Sequence, residues 1–116
     1  MPAMESWSSC IDWFEQLAND TAYAWAAFFP DLLRALALRA STSGLYAHRW
    51  ATTLVVSRFG AHPDWQVGPK VELTPLPDGR VEVMVYDAYN QKRTRVTLRS
   101  SQAADLDEWM TFVAGE

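Results

Sequence analysis

One thiol and two imidazoles are the residues of this chain that could form a nucleophile and base pair. Cys10 with His48 or His62 would supply that chemistry. Cys10, however, falls on the apolar stripe of a predicted helix, where a free cysteine behaves as a small hydrophobic residue. The histidines lack further partners at metal-ligand spacing, and glycine-rich phosphate loops and GxSxG are absent. The sequence therefore predicts no metal and no cofactor, and it favours a protein that is not an enzyme.

A second set of residues, separate from the thiol and imidazoles, could hold a small ligand. His62, Asp64 and Trp65 bring an imidazole, a carboxylate and an indole into one predicted loop. Asp87 continues an apolar strand row, where a carboxylate can bind a ligand or simply reach water at the strand end. In loops of this composition the polar residues more often shape a turn than bind a ligand, and the indole fixes the loop to the core. These four residues are the alternative ligand site.

The favoured site is a basic and aromatic surface on a predicted sheet. Its members are Tyr86, Arg93, Arg95 and Arg99. Arginine and tyrosine are enriched in protein interfaces, so this surface predicts a protein partner with an acidic surface. Nucleic acid is a less favoured partner, because the net charge of -4 repels phosphates and anionic membranes. The competing interpretation is a solvated face on which Glu72 and Glu82 neutralise the arginines.

These residues are carried by segment 71–99, whose alternation of apolar and polar residues predicts three antiparallel strands. The predicted apolar face needs a cover of helices. It consists of Val71, Leu73, Val81, Val83, Val85, Val96 and Leu98.

The two turns of this segment set the predicted register. A three-residue loop at 77–79 places Leu73 opposite Val83 and Val71 opposite Val85. A two-residue turn at Asn90 and Gln91 would place Val85 opposite Val96. The same turn would place Val83 opposite Leu98 and Glu82 opposite Arg99.

Helices are predicted before the sheet. Apolar residues repeat at helical spacing from Trp7, with Ser6 as the N-cap. Trp13 falls off this stripe, either as a second buried contact or as an exposed anchor for a partner. Residues 20–40 form either two helices, with Pro30 in the first turn of the second, or one kinked helix.

The remaining elements complete the predicted sheet and its cover. Residues 50–59 are rich in β-branched side chains and predict a strand, with a helix left open, and 60–69 is a loop. Ser101 caps a last helix that packs on one sheet face. Its apolar stripe is Leu106, Trp109, Met110 and Val113.

Composition fits one compact domain spanning residues 1–116. The chain is 49% hydrophobic and 21% charged, with a single cysteine and no leader pattern, so cytoplasmic residence is the default expectation. We predict an α+β fold with two or three N-terminal helices, a four-stranded, mainly antiparallel sheet and a C-terminal helix.

The predicted function is a non-catalytic interaction module of the inhibitor, immunity-protein, adaptor or secretion-chaperone type. Its candidate contacts are the basic sheet surface and Trp13, no membrane is involved, and a homodimer is compatible with the sequence. The alternative is a small-ligand binder or cryptic enzyme with an apolar pocket between helices and sheet.

Overall fold

The protein has an α+β fold in which helices cover one face of an antiparallel sheet. A computed structural model describes residues 3–61, 64–87, 91–98 and 102–115, without the side chains of Lys92 and Arg93. Within them the sheet has five strands in the order β1-β2-β3-β4-β5. The strands are β1 (Tyr46–Trp50), β2 (Thr53–Ser57), β3 (Lys70–Pro75), β4 (Val81–Tyr86) and β5 (Lys92–Leu98). The predicted fold class is confirmed, and the predicted number of four strands is corrected to five.

The extra strand is β1, which lies almost entirely before the predicted strand 50–59 and forms a hairpin with β2. Trp50 ends β1 and pairs with Thr53 of β2, so the chain reverses at Ala51 and Thr52. Ala51 has a φ of 52°, a left-handed conformation that glycine or asparagine adopts more readily. The hairpin was missed because neither residue type stands at this turn, and Tyr46–Trp50 lacks a clear apolar alternation.

The predicted register between β3 and β4 is confirmed. Leu73 lies opposite Val83 and Val71 lies opposite Val85. The three-residue loop is closed by a hydrogen bond from the Leu76 amide to the Arg80 carbonyl, 2.8 Å long. Gly79 supplies the left-handed residue with a φ of 85°.

The predicted register between β4 and β5 is wrong by two residues. Val96 lies opposite Val83 rather than Val85. Leu98 lies opposite Val81, and Glu82 faces Thr97 instead of Arg99, which is outside the described residues. A two-residue slip preserves which side chains share a face, so the predicted apolar face survives the error.

The physical reason for this slip is a wider turn than predicted. The Asp87 amide donates to the Gln91 carbonyl at 2.9 Å, so the chain reverses between these two residues. Asn90, the first residue of the predicted turn, lies outside the described residues. The pairing also shifts between Val85 and Tyr86, where Lys92 rather than Arg93 faces Tyr86.

The N-terminal helix α1 spans Ala3–Ala18 and begins before its predicted cap. Ser6 is therefore not the N-cap but a buried residue inside the helix. Helix α1 is followed by a 3₁₀ helix, Thr21–Ala27, which runs directly into helix α2, Phe28–Ala37. The Asp20 carboxylate caps the 3₁₀ helix by accepting from the Ala22 amide at 2.9 Å.

The remaining helices are short. Helix α3 is a single turn, Asp64–Val67, within the predicted loop 60–69. Helix α4 spans Asp107–Ala114 and follows a 3₁₀ helix at Ala103–Leu106, while its predicted cap, Ser101, lies outside the described residues. Its predicted stripe is confirmed, with Trp109 partly buried and the other members fully buried.

Helices α1, α2 and α4 cover the inner face of the sheet. This face is defined here by Ala47, Leu54, Val56 and the seven residues predicted for 71–98. All of these except Val96 belong to the core cluster of aromatic and aliphatic side chains or pack against it. The central contacts come from Trp7, Phe14, Phe29, Leu33 and Met110. The valines of β4 and the rings of Phe14 and Phe29 are almost completely buried, so side chains fill the interior between the helices and β4.

Candidate binding surface

The side of the sheet that faces away from helices α1, α2 and α4 is called here the outer face. Alternation along the strands assigns side chains from all five strands to it. Its described members are Tyr46, His48, Trp50, Thr53, Val55, Ser57, Lys70, Glu72, Thr74, Glu82, Met84, Tyr86, Arg95 and Thr97.

A stack of three rings fixes helix α3 on the outer face. The His48 and Trp65 ring centroids are 4.7 Å apart with planes at 10°, and Tyr46 lies 6.5 Å beyond His48. His48 Nε2 lies 2.8 Å from the Phe59 carbonyl oxygen. Because a carbonyl can only accept, Nε2 carries the proton. Burial lowers the pKa of His48, and the hydrogen bond to Phe59 opposes that shift.

Lys70 ties the same helix to the sheet. Its Nζ donates to the Gln66 carbonyl at 3.0 Å and lies 3.3 Å from Glu72 Oε2. The ammonium also lies 5.0 Å from the centre of the Tyr86 ring. Only 10% of the Lys70 side chain is exposed, so this charge is neutralised and held in place.

A groove of about 280 Å³ opens between helix α3 and the strands. Val55 is buried and forms its floor, while Trp50 is 64% exposed and Val67 is 47% exposed on its rims. Its lining residues are Trp50, Val55, Trp65, Gln66, Val67, Lys70 and Glu72. An apolar floor with exposed aromatic rims and one paired charge can accept an apolar or aromatic side chain.

The structure brings together residues that the sequence assigned to two separate sites. Tyr86 and Arg95 from the predicted basic surface lie on the outer face with Trp65 from the alternative ligand site. Arg95 donates to Glu82 Oε2 at 2.7 Å. The neutralised-face interpretation predicted that Glu82 would neutralise an arginine, but the predicted register had placed Arg99 opposite it. Burial raises the pKa of Tyr86, with Glu72 and Glu82 adding to the shift, so its phenol stays protonated.

Other predicted site residues lie elsewhere or outside the description. Trp13 is half-buried on α1, with the Arg49 guanidinium 3.9 Å from its ring centre at the β1 edge. Asp64 is exposed at the start of α3. Asp87 has a buried Oδ1 without a hydrogen-bond partner among the described residues. His62 and Arg99 lie outside those residues, as does the side chain of Arg93.

The structure does not bring together Cys10 and His48, the thiol and imidazole pair that the sequence disfavoured, and His62 lies outside the described residues. Cys10 is buried in the helical layer, whereas His48 lies on the outer face, so the sheet separates them. Burial raises the pKa of the Cys10 thiol to about 11, although the nearby Arg49 charge opposes this shift. A thiol with that pKa is almost entirely protonated at neutral pH and is a poor nucleophile.

Sequence reasoning missed Trp50 and Val67 as members of this surface. Trp50 was predicted to begin the strand 50–59, but it ends β1 and lies on the outer face beside the hairpin turn. Val67 belongs to the predicted loop 60–69, where no periodicity indicates a face. The clustering of tryptophan around the β-branched run was the available signal.

Comparison with protein-family models, curated proteins and solved structures finds no significant match to this chain. Across the described ranges no helix combines the length and apolar character needed to cross a membrane. The same ranges contain no group of three or more acidic, histidine or cysteine side chains arranged to hold a metal ion.

Proposed function

We propose that the protein is a non-catalytic interaction module that binds a protein partner through its outer face. The observation that carries this proposal is the groove, whose rims are an exposed tryptophan and an exposed valine on a rigid scaffold. Exposed apolar side chains around a desolvated floor are typical of sites that accept an anchoring residue of a partner.

The fixed surroundings of the groove add support. Helix α3 is held by the ring stack and by the Lys70 ammonium, and Arg95 is held by Glu82. A surface whose side chains are already ordered loses little conformational entropy when a partner binds.

The alternative function, a small-ligand binder or cryptic enzyme with a pocket between helices and sheet, has less support. Side chains fill the interior over the valines of β4, and Cys10 and His48 lie on opposite sides of the sheet. The groove itself is slightly smaller than typical small-molecule sites of roughly 300 to 1,000 Å³.

Site-specific photo-crosslinking in the cells that make the protein tests the proposed surface. A photoreactive residue replaces Val67 in one variant and Leu38 in the matched control. Leu38 is 82% exposed and lies at the end of α2, away from the groove. We expect a discrete crosslinked protein from position 67 only, and we expect Trp50→Ser in the same chain to abolish it.

Trp50→Ser should lower the free energy of unfolding only modestly, by about 1 kcal/mol in urea denaturation, because the residue is 64% exposed. Equal crosslinking patterns at positions 67 and 38, or crosslinking that persists in the Trp50→Ser chain, would show that the groove is not the interface.

A further inference from the structure

The two edges of the sheet differ in their contacts with the rest of the chain. At the β1 edge, Ser6 Oγ accepts from the Ala47 amide at 3.0 Å, and Trp7 Nε1 donates to the Leu45 carbonyl at 3.0 Å. Side chains of helix α1 thus occupy two of the backbone groups that an added strand would need, the Ala47 N–H and the Leu45 C=O. The opposite edge is β5, which has β4 as its only strand neighbour among the described strands.

The alternation of hydrogen-bonded and non-hydrogen-bonded pairs along the sheet identifies which backbone N–H and C=O groups of β5 face the open edge. The Leu76 amide donates to Arg80 across the β3 and β4 turn, which marks that pair as hydrogen-bonded. Bonded pairs alternate along an antiparallel ladder, so the three valines of β4 bond to β5. Their partners are Thr94, Val96 and Leu98. Arg95 and Thr97 therefore direct their backbone N–H and C=O groups outward.

The charges along β5 favour an acidic partner. Lys92, Arg93 and Arg95 lie within the 7 residues of the strand, which contains no acidic residue, in a chain of net charge -4. Arg95 uses one nitrogen for Glu82, and 59% of its side chain remains exposed, so further guanidinium donors are available. An acidic side chain beside Arg95 would meet an electrostatically favourable site.

The helical cover also stops short of β5. The inner-face valines of β4 are at most 1% exposed, whereas Val96 and Leu98 of β5 are only half-buried. A strand beside β5 would place its inward side chains against these two residues and extend the apolar row. A second copy of β5 fits poorly in that position, because it would bring a strand with three cationic residues and no acidic residue beside an identical one.

We propose that β5 accepts an extended segment of the partner protein as an additional strand. The segment alternates acidic side chains, which lie on the outer face near Arg95, with apolar side chains that cover Val96 and Leu98. This inference rests on the proposed function, because it names the chemistry of the protein partner and places it at the edge of the proposed surface.

Nuclear magnetic resonance with a defined peptide tests the added strand. The probe is an acetylated and amidated peptide of the same 7-residue length as β5, alternating glutamate with valine. It is titrated into the millimolar range under conditions in which it remains monomeric. We expect saturable shifts in β5 and slower amide exchange at Arg95 and Thr97, the two outward N–H groups, with little change at Val96.

Two control peptides separate strand addition from unspecific attraction. A peptide with alternate backbone nitrogens methylated keeps every side chain but cannot complete the ladder, and we expect it not to bind. A peptide alternating lysine with valine should also fail. Arg95→Glu should weaken binding of the glutamate peptide by about tenfold, because an attractive cross-strand pair becomes repulsive.

The proposal is overturned if the glutamate peptide does not bind, if the methylated peptide binds equally well, or if protection appears away from β5. These outcomes leave the crosslinking result at Val67 untouched, so strand addition can fail while the interaction module stands. Conversely, β5 protection without crosslinking at Val67 would retain the edge and reject the groove.

Discussion

The buried hydroxyl of Ser6 offers the sharpest test of how helix α1 is attached to the sheet. Its Oγ donates to the Ala3 carbonyl at 2.6 Å and accepts from the Ala47 amide at 3.0 Å. Both Ser6 and Ala47 are buried, so water cannot replace the hydroxyl when it is removed. Ser6→Ala therefore leaves a buried N–H group without its partner.

The magnitude follows from these contacts. Leaving a buried donor unsatisfied costs about 1 to 3 kcal/mol, and the lost bond to Ala3 adds about 1 kcal/mol. The higher helix propensity of alanine offsets about 0.5 kcal/mol of this loss. We expect Ser6→Ala to lower the free energy of unfolding by about 1.5 to 3.5 kcal/mol, measured by urea denaturation with tryptophan fluorescence. Amide exchange at Ala47 should accelerate in the same variant.

Two matched variants make this reasoning refutable. Ser9→Ala removes an exposed hydroxyl from the same helix and should change stability by at most about 0.5 kcal/mol. Ser6→Asp would be tolerated at an N-cap, where aspartate is as good as serine, but should destabilise a buried bridge more than alanine does. The bridge to Ala47 is not structurally important if Ser6→Ala and Ser9→Ala have the same free energy of unfolding. It is also not important if Ser6→Asp is as stable as the wild type.

Two further changes test the hairpin turn and the ring stack. Ala51→Gly should raise the free energy of unfolding by about 0.5 to 1 kcal/mol, because relief of the left-handed strain exceeds the added entropy of the unfolded chain. Ala35→Gly on the exposed face of α2 is the control and should lower the free energy of unfolding by about 1 kcal/mol. If both variants lower the free energy of unfolding, the turn at Ala51 is not strained. The native pKa of His48 is lowered, so the unfolded state binds more protons, and stability should fall as pH drops below about 6.5 towards the native pKa. His48→Gln should flatten this dependence in thermal melts between neutral and mildly acidic pH, and an unchanged slope would exclude His48 as its source.

The inner face of the sheet was predictable because its signals are local and periodic. Val81, Val83 and Val85 alternate with polar residues, and a proline and glycine turn fixes their pairing with β3. The same reasoning failed one turn later, where the pairing shifts between Val85 and Tyr86. A shift of this kind depends on contacts between strands, which the spacing of residues within one strand does not encode.

The outer face was less predictable because distant segments build it. Trp65 was recognised as a possible contact, but its stack on His48 depends on a hairpin whose turn carries alanine instead of glycine. Ser6 fitted the common pattern of an N-cap, and only the tertiary position of β1 turns its hydroxyl into a bridge. Neutralisation of an arginine by Glu82 was predicted in kind, but the predicted register placed Arg99 opposite Glu82, and the observed partner is Arg95.

The closure of the β1 edge by helix α1 has a consequence for the order of events during folding. Its two hydrogen bonds join residues that are 41 and 38 positions apart, while every neighbouring strand pair closes through a shorter connection. Any route that forms the sheet before α1 docks passes through a state with two open edges, which invite pairing between molecules. Docking of the first helix removes one of these two edges, so we expect aggregation during refolding to compete with this step.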